Sequence, residues 1–222
     1  MRSSAASDVY KRQGLYITGI VLGIIIALIL KNTAFRGKPV PFVMELPNYR
    51  LPSAKSVGLL LWDKAKDFIQ RAFTVIFFAT IIIWFLETFD AKLNVVKDSS
   101  DSLLALIGQA ISPIFKPLGF ADWRVTTSLI SGFTAKEAVV STMAVLMNTS
   151  TANLGTALSG AFSTLSALSF LVFTLLYTPC VAAVATIKRE LDSRIQTVGV
   201  VIMQCMVAWL CGCAVYQIGA LL

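Results

Sequence analysis

The sequence predicts an all-α, polytopic membrane protein with five to six transmembrane helices, two of them interrupted. Three observations carry this. Apolar residues make up 56% of the chain and charged residues only 14%, far from the usage of a soluble domain. Long apolar segments recur over 15–30, 72–86, 103–118, 125–147, 165–187 and 198–222. Two of these are broken by polar or helix-disrupting residues: Gly132-Phe133-Thr134-Ala135-Lys136-Glu137 in the fourth and Tyr177-Thr178-Pro179-Cys180 in the fifth.

The chain divides into three stretches. Residues 1–13 are polar, contain Arg2, Lys11 and Arg12, and are read as a non-native leader, with native sequence from about Gly14 and the chain a fragment. Residues 14–71 hold the first span, a proline-spaced loop (Pro39, Pro41, Pro47, Pro52) and a helix over 53–71. Val57, Leu60, Leu61, Ala65, Phe68 and Ile69 recur there at helical spacing, so this helix is expected to lie amphipathically at the membrane surface. Residues 72–222 form the main transmembrane domain. Its third segment holds Gly108, Gln109, Pro113, Lys116 and Pro117 and reads either as a span or as a re-entrant half-helix.

Orientation follows from the loops. The 31–71 connection is rich in Lys and Arg, and the loop over 188–194 carries Lys188, Arg189 and Arg194; both are assigned to the cytoplasm by the positive-inside bias. The 87–102 loop mixes signs and the 148–160 loop has no charge, so both face outward. The net charge of +7 is concentrated beside apolar runs, which points to the lipid bilayer and not to nucleic acid.

The two interruptions are the chemically informative features. Lys136 lies about 16 Å along its segment at 1.5 Å per residue. A charge at mid-membrane costs about 2.5–3.5 kcal/mol on insertion scales, which makes it rare without a cavity or partner. Pro179 removes a backbone donor and obstructs the carbonyl of Leu175. Paired broken helices mark a transport site. The chain has no histidine, which removes the commonest general base. A cysteine nucleophile would lack its activator, so no enzyme is expected. The cysteines Cys180, Cys205, Cys211 and Cys213 all lie in apolar segments without zinc-site spacing. The last three, with Met203 and Met206, read as packing residues. Glu137 has Thr134 and Ser141 on its own face at three and four residues. Lys136 and Glu137 are about 100° apart on a helix and need not pair; each also reads as polar glue to a neighbouring helix.

The motif Pro41-Phe42-Val43-Met44-Glu45-Leu46-Pro47-Asn48-Tyr49-Arg50-Leu51-Pro52 resembles the cytoplasmic signature of FeoB-type bacterial ferrous iron transporters. The fourth- and fifth-segment interruptions, with Pro117-Leu118-Gly119-Phe120 before the fourth, resemble the family's second gate repeat. Asn48 departs from the family's usual proline. The resemblance implies a multi-pass protein of the bacterial inner membrane and Fe2+ as the transported substrate. Cys180 and Glu137 become candidate ligands on the translocation path, supported by Gly132, Thr134, Lys136, Ser141, Tyr177, Thr178 and Pro179. It also implies that the amino-terminal GTPase domain and first gate repeat of the parent are absent; no phosphate-binding loop, hence no GTP site, occurs in these residues. Small Feo accessory proteins and a homo-oligomer are admitted as partners. Two other readings stand beside it: a gate-repeat nucleoside or ion transporter of another specificity, and a membrane anchor that does not transport.

Overall fold

A computed structural model describes residues 2–33, 53–96, 98–177 and 180–221. The chain falls into two compact units, Met1–Ala65 and Lys66–Leu222. The first holds α1 (Arg2–Asn32) and the opening turns of α2 (Ala54–Thr88). The stretch 34–52, with the signature motif, lies outside the described residues.

α1 is apolar around its whole circumference beyond Gly14. Ile17, Ile20, Ile24, Leu28 and Ile29 are all exposed, as expected of a helix whose solvent is lipid. Its hydroxyls are satisfied internally: Thr18 Oγ1 donates to Gly14 O at 2.8 Å and Thr33 Oγ1 to Ile29 O at 2.7 Å. Ser53 caps α2, its hydroxyl accepting from the Ser56 amide at 3.2 Å. The expected surface helix over 53–71 and second span over 72–86 are one continuous helix of 35 residues. Nothing between Ser53 and Thr88 breaks it: the stretch has no proline and one glycine, Gly58.

In the second unit α2 ends in a loop closed by a Phe89–Val95 bridge. Asp90 accepts from the amides of Asn94 (2.8 Å) and Lys92 (2.7 Å); the Asn94 bond above all holds this carboxyl below the usual carboxylate range. Then come α3 (Leu103–Ile111), a 3-10 segment (Ser112–Leu118), α4 (Trp123–Ser131) and α5 (Ala138–Leu146). They are followed by α6 (Leu154–Ala161), α7 (Thr164–Leu176), α8 (Val181–Leu191) and α9 (Arg194–Leu221). The expected 148–160 loop thus contains a short helix, α6, whose Leu154 is buried in the core.

The third segment is bent, for a local reason. Pro113 and Pro117 lack N–H groups, so α3 tightens into 3-10 turns. Gly119 (φ 83°) reverses the chain, and Asp122 caps α4 through the Arg124 amide at 2.8 Å. The 103–118 segment and α4 consequently meet at 106°. α9 supplies the missing bonds: Trp209 Nε1 donates to Ile114 O, the acceptor that Pro117 cannot serve, at 3.0 Å, and Gln217 Nε2 donates to Pro117 O at 3.0 Å. Where α7 and α9 cross, the Ser169 hydroxyl donates to Gly212 O at 2.8 Å. A side chain on Gly212 would press on Leu118 and Phe173, so the small residue sets the close approach. Phe115, Phe120, Phe173 and Tyr177 fill the centre, with ring centroids 5.2–5.5 Å apart between Phe115 and Phe120, Phe115 and Phe173, and Phe173 and Tyr177. Among the described residues three helices are long and apolar enough to span a membrane, and five spans result if each bent pair counts as one.

Candidate functional site

The two predicted interruptions meet. α4 stops at Ser131 and α5 starts at Ala138; turns connect them, with Phe133 N bonded to Ile130 O (3.1 Å) and Thr134 N to Ser131 O (3.1 Å). No proline lies in this stretch, so the break has other causes. The Thr134 hydroxyl competes for Ser131 O at 2.7 Å. Phe133 O is taken by the amide of Val181, on α8, at 2.9 Å. That bond ties the break of one helix pair to the first turn of another.

Gly132 makes the approach possible. A Cβ there would run into the Val139 side chain and lie 2.7 Å from the Tyr177 hydroxyl. Tyr177 is buried (7% exposed) and its hydroxyl has no hydrogen-bond partner.

Lys136 closes the other side. Its Nζ donates to Thr174 O and to Tyr177 O, both at 3.3 Å, and stands 4.9 Å from the centroid of the Tyr177 ring. These carbonyls belong to the C-terminal end of α7, where helix carbonyls lack intrahelical donors and the macrodipole is negative. Lys136 is therefore the C-terminal cap of α7, delivered from another helix. The glue reading of Lys136 describes this geometry. The expectation that its ammonium must point away from a metal path does not: Lys136 lies within electrostatic range of Cys180.

Cys180 is the N-cap of α8 (φ −59°, ψ 160°), half-buried, and its carbonyl accepts from Ala183 and Val184 at 2.9 and 3.1 Å. α7 and α8 meet at 41°. Thr178 and Pro179 lie outside the described residues.

Other sequence candidates are arranged less tightly. Glu137, the residue before α5, is exposed, as is Ser141 one turn later. Thr134 is buried and turned to Ser131 O, so it does not share one helical face with Glu137, because the helix is not continuous between them. Sequence reasoning missed Glu87, placed in a loop but standing in the last turn of α2, where Oε1 accepts from the Ser131 hydroxyl at 2.9 Å. The available signal was a carboxylate one turn inside the end of an apolar helix. It also missed Cys205 as part of a 440 Å³ apolar cavity shared with Phe133, Tyr177 and Trp209. No cluster of three or more metal-ligating side chains occurs among the described residues.

Comparison with known proteins adds two family matches. Residues 69–194 match the Gate family, described as nucleoside recognition, and residues 13–64 match the ferrous iron transport protein B C terminus. The chain is 35% identical over 207 residues to an Fe(2+) transporter FeoB of Staphylococcus aureus, covering 93% of this chain and 31% of that protein. It is 34% identical over 184 residues to FeoB of Methanocaldococcus jannaschii, covering 80% and 27%. It is 32% identical over 256 residues to an Fe(2+) transport protein A/FeoB fusion of Porphyromonas gingivalis, covering 94% and 30%. The chain thus spans about a third of the length of these relatives. No solved structure matches it. With more than half its residues in the Gate match and the remainder running into the FeoB C-terminal match, the chain belongs to the Gate family as an FeoB-type sequence.

Proposed function

We propose that this chain forms part of the Fe2+ path of a ferrous iron uptake transporter in a bacterial inner membrane, and that the junction of the two broken helix pairs is the gate. One observation carries the reading: the 2.9 Å bond from Val181 N to Phe133 O, flanked by Lys136 on the carbonyls of α7. Two helices interrupted at one place leave backbone oxygens and a thiol beside each other, the arrangement by which transporters handle ions at membrane depth. Ferrous ion is borderline in softness and accepts thiolate and carboxylate ligands, which assigns Cys180 as the ligand at the junction and Glu137 as an approach ligand. The Lys136 ammonium opposes a cation there. Passage requires it to leave the α7 carbonyls, which then become available to the metal. The names of the relatives favour iron over the nucleoside reading suggested by the Gate description. The GTPase domain and first gate repeat belong to the longer parent in this reading.

The test is Fe2+ uptake by the intact parent transporter with membrane levels matched. Cys180→Ser exchanges a soft ligand for a hard one at nearly constant size and should lower uptake at least tenfold, about 1.4 kcal/mol or more. Cys205→Ser, Cys211→Ser and Cys213→Ser should behave as the parent. Glu137→Gln should reduce uptake without loss of protein. Equal uptake by Cys180→Ser would make that residue part of the packing and remove the junction from the path.

A further inference from the structure

A second polar feature lies apart from the Cys180 junction. Beneath the loop after α2, a cleft of about 190 Å³ is lined by Glu87, Ser99, Ser102, Thr127, Ser141 and Thr142, with Val145 and Leu146 as its apolar wall. Its volume admits several waters. Within the second unit it is the place where hydroxyls from α4 and α5 and a carboxylate from α2 converge. Ser102 is spent locally, donating to Ser99 O at 2.9 Å and accepting from the Ala105 amide at 3.1 Å. Thr127 is not: it is only 2% exposed, and its hydroxyl has no hydrogen-bond partner. A buried hydroxyl without a partner costs about 1–3 kcal/mol by removal of water alone, so a valine of the same shape would be the stabler choice unless something uses the oxygen.

We infer that this cleft binds a partly hydrated divalent cation, with the Glu87 carboxylate as its one anionic ligand. The hydroxyls of Thr127, Ser141 and Thr142 bind the ion or its waters. The chemistry suits an ion that keeps much of its hydration: hard divalent cations held by one or two carboxylates retain several waters. Glu87 Oε1 already accepts from Ser131, which fixes the carboxylate and leaves its second oxygen for the ion. Ser131 O in turn accepts from Thr134, so polar groups run from the cleft into the α4–α5 break. A single charge makes the site weak, as a station on a conducting path must be if the ion is to leave again. The inference deepens the proposed function and rests on it for the direction of travel, but the site itself is measurable without transport.

The experiment is Mn2+ titration of the purified chain in lipid nanodiscs, with the free ion followed by electron paramagnetic resonance and the melting temperature recorded with and without Mn2+. Saturable binding is expected. Glu87→Gln preserves the acceptor for Ser131 and should weaken binding by about tenfold or more. Thr127→Val should raise the melting temperature without Mn2+ and diminish the rise that Mn2+ produces. Glu190→Gln, a change of equal charge in the 188–194 loop, should bind as the parent chain does. Absence of saturable Mn2+ binding, or equal binding by Glu87→Gln, would overturn the site while leaving the Cys180 uptake result intact. Loss of the Cys180 effect with the Mn2+ contrast preserved would instead overturn the junction as the path.

Discussion

Lys136→Met removes the ammonium that caps α7 and keeps a stem of similar length. The structure sets the size of the effect. Bonds of 3.3 Å to Thr174 O and Tyr177 O are slightly longer than ideal, so each is credited with about 1 kcal/mol, below the usual range for a charged donor. The ring contact at 4.9 Å adds about 1 kcal/mol. Against these three, the substitution relieves the cost of placing an ammonium in the membrane. Lys136 is half-buried, so about half of the 2.5–3.5 kcal/mol insertion penalty applies. The net loss is about 1.5 kcal/mol, or roughly a tenfold rise in the fraction of junctions open. The probe is the amide of Val181, which is protected by Phe133 O at 2.9 Å. In nanodiscs its hydrogen exchange should quicken about tenfold in Lys136→Met, with amides in the middle of α9 unchanged. Lys136→Arg, which keeps a charged donor, should stay nearer the parent rate. An unchanged Val181 rate in Lys136→Met would refute the reasoning, since it would mean that the ammonium does not hold the two breaks together.

Two further outcomes follow from the same geometry and from the charge pattern. Gly132→Ala places a methyl 2.7 Å from the Tyr177 hydroxyl and against Val139, and should cost about 1–3 kcal/mol of stability; Tyr177→Phe, which discards a buried hydroxyl without a partner, should be neutral or stabilising and should partly rescue it. Thermal melting of the two single variants and the double variant measures this, and additive effects would show that the hydroxyl is not what the methyl meets. Single cysteines in a cysteine-free background at Asn94 and Asn153 should label from the outer side and those at Lys55 and Arg189 should not, under the positive-inside bias; outside labelling at Arg189 would overturn the orientation.

The sequence by itself determined the fold class, because lipid imposes a constraint that is local: a segment of sixteen or more apolar residues must satisfy its own backbone, and does so as a helix. α1 and α9 are legible on that ground alone. The bend after the third segment was legible in part, since Pro113, Pro117 and Gly119 act on their own backbone. The interruption at 132–137 was also visible as a place, through a lysine and a glutamate inside an apolar run. What those charges do was not visible. No proline marks that break; the helix ends there because Phe133 O bonds to Val181 and Thr134 takes Ser131 O, and a bond to a partner 48 positions away leaves no periodic trace. The same holds for Lys136, whose acceptors are backbone carbonyls 38 and 41 residues on and so carry no side-chain signature. Glu87 was misplaced because its role depends on Ser131, 44 residues distant. Apolar patterning decides which segments are helices; only the tertiary structure decides which freed carbonyls, hydroxyls and charges find one another, because those bonds are made between helices whose relative placement no single segment encodes.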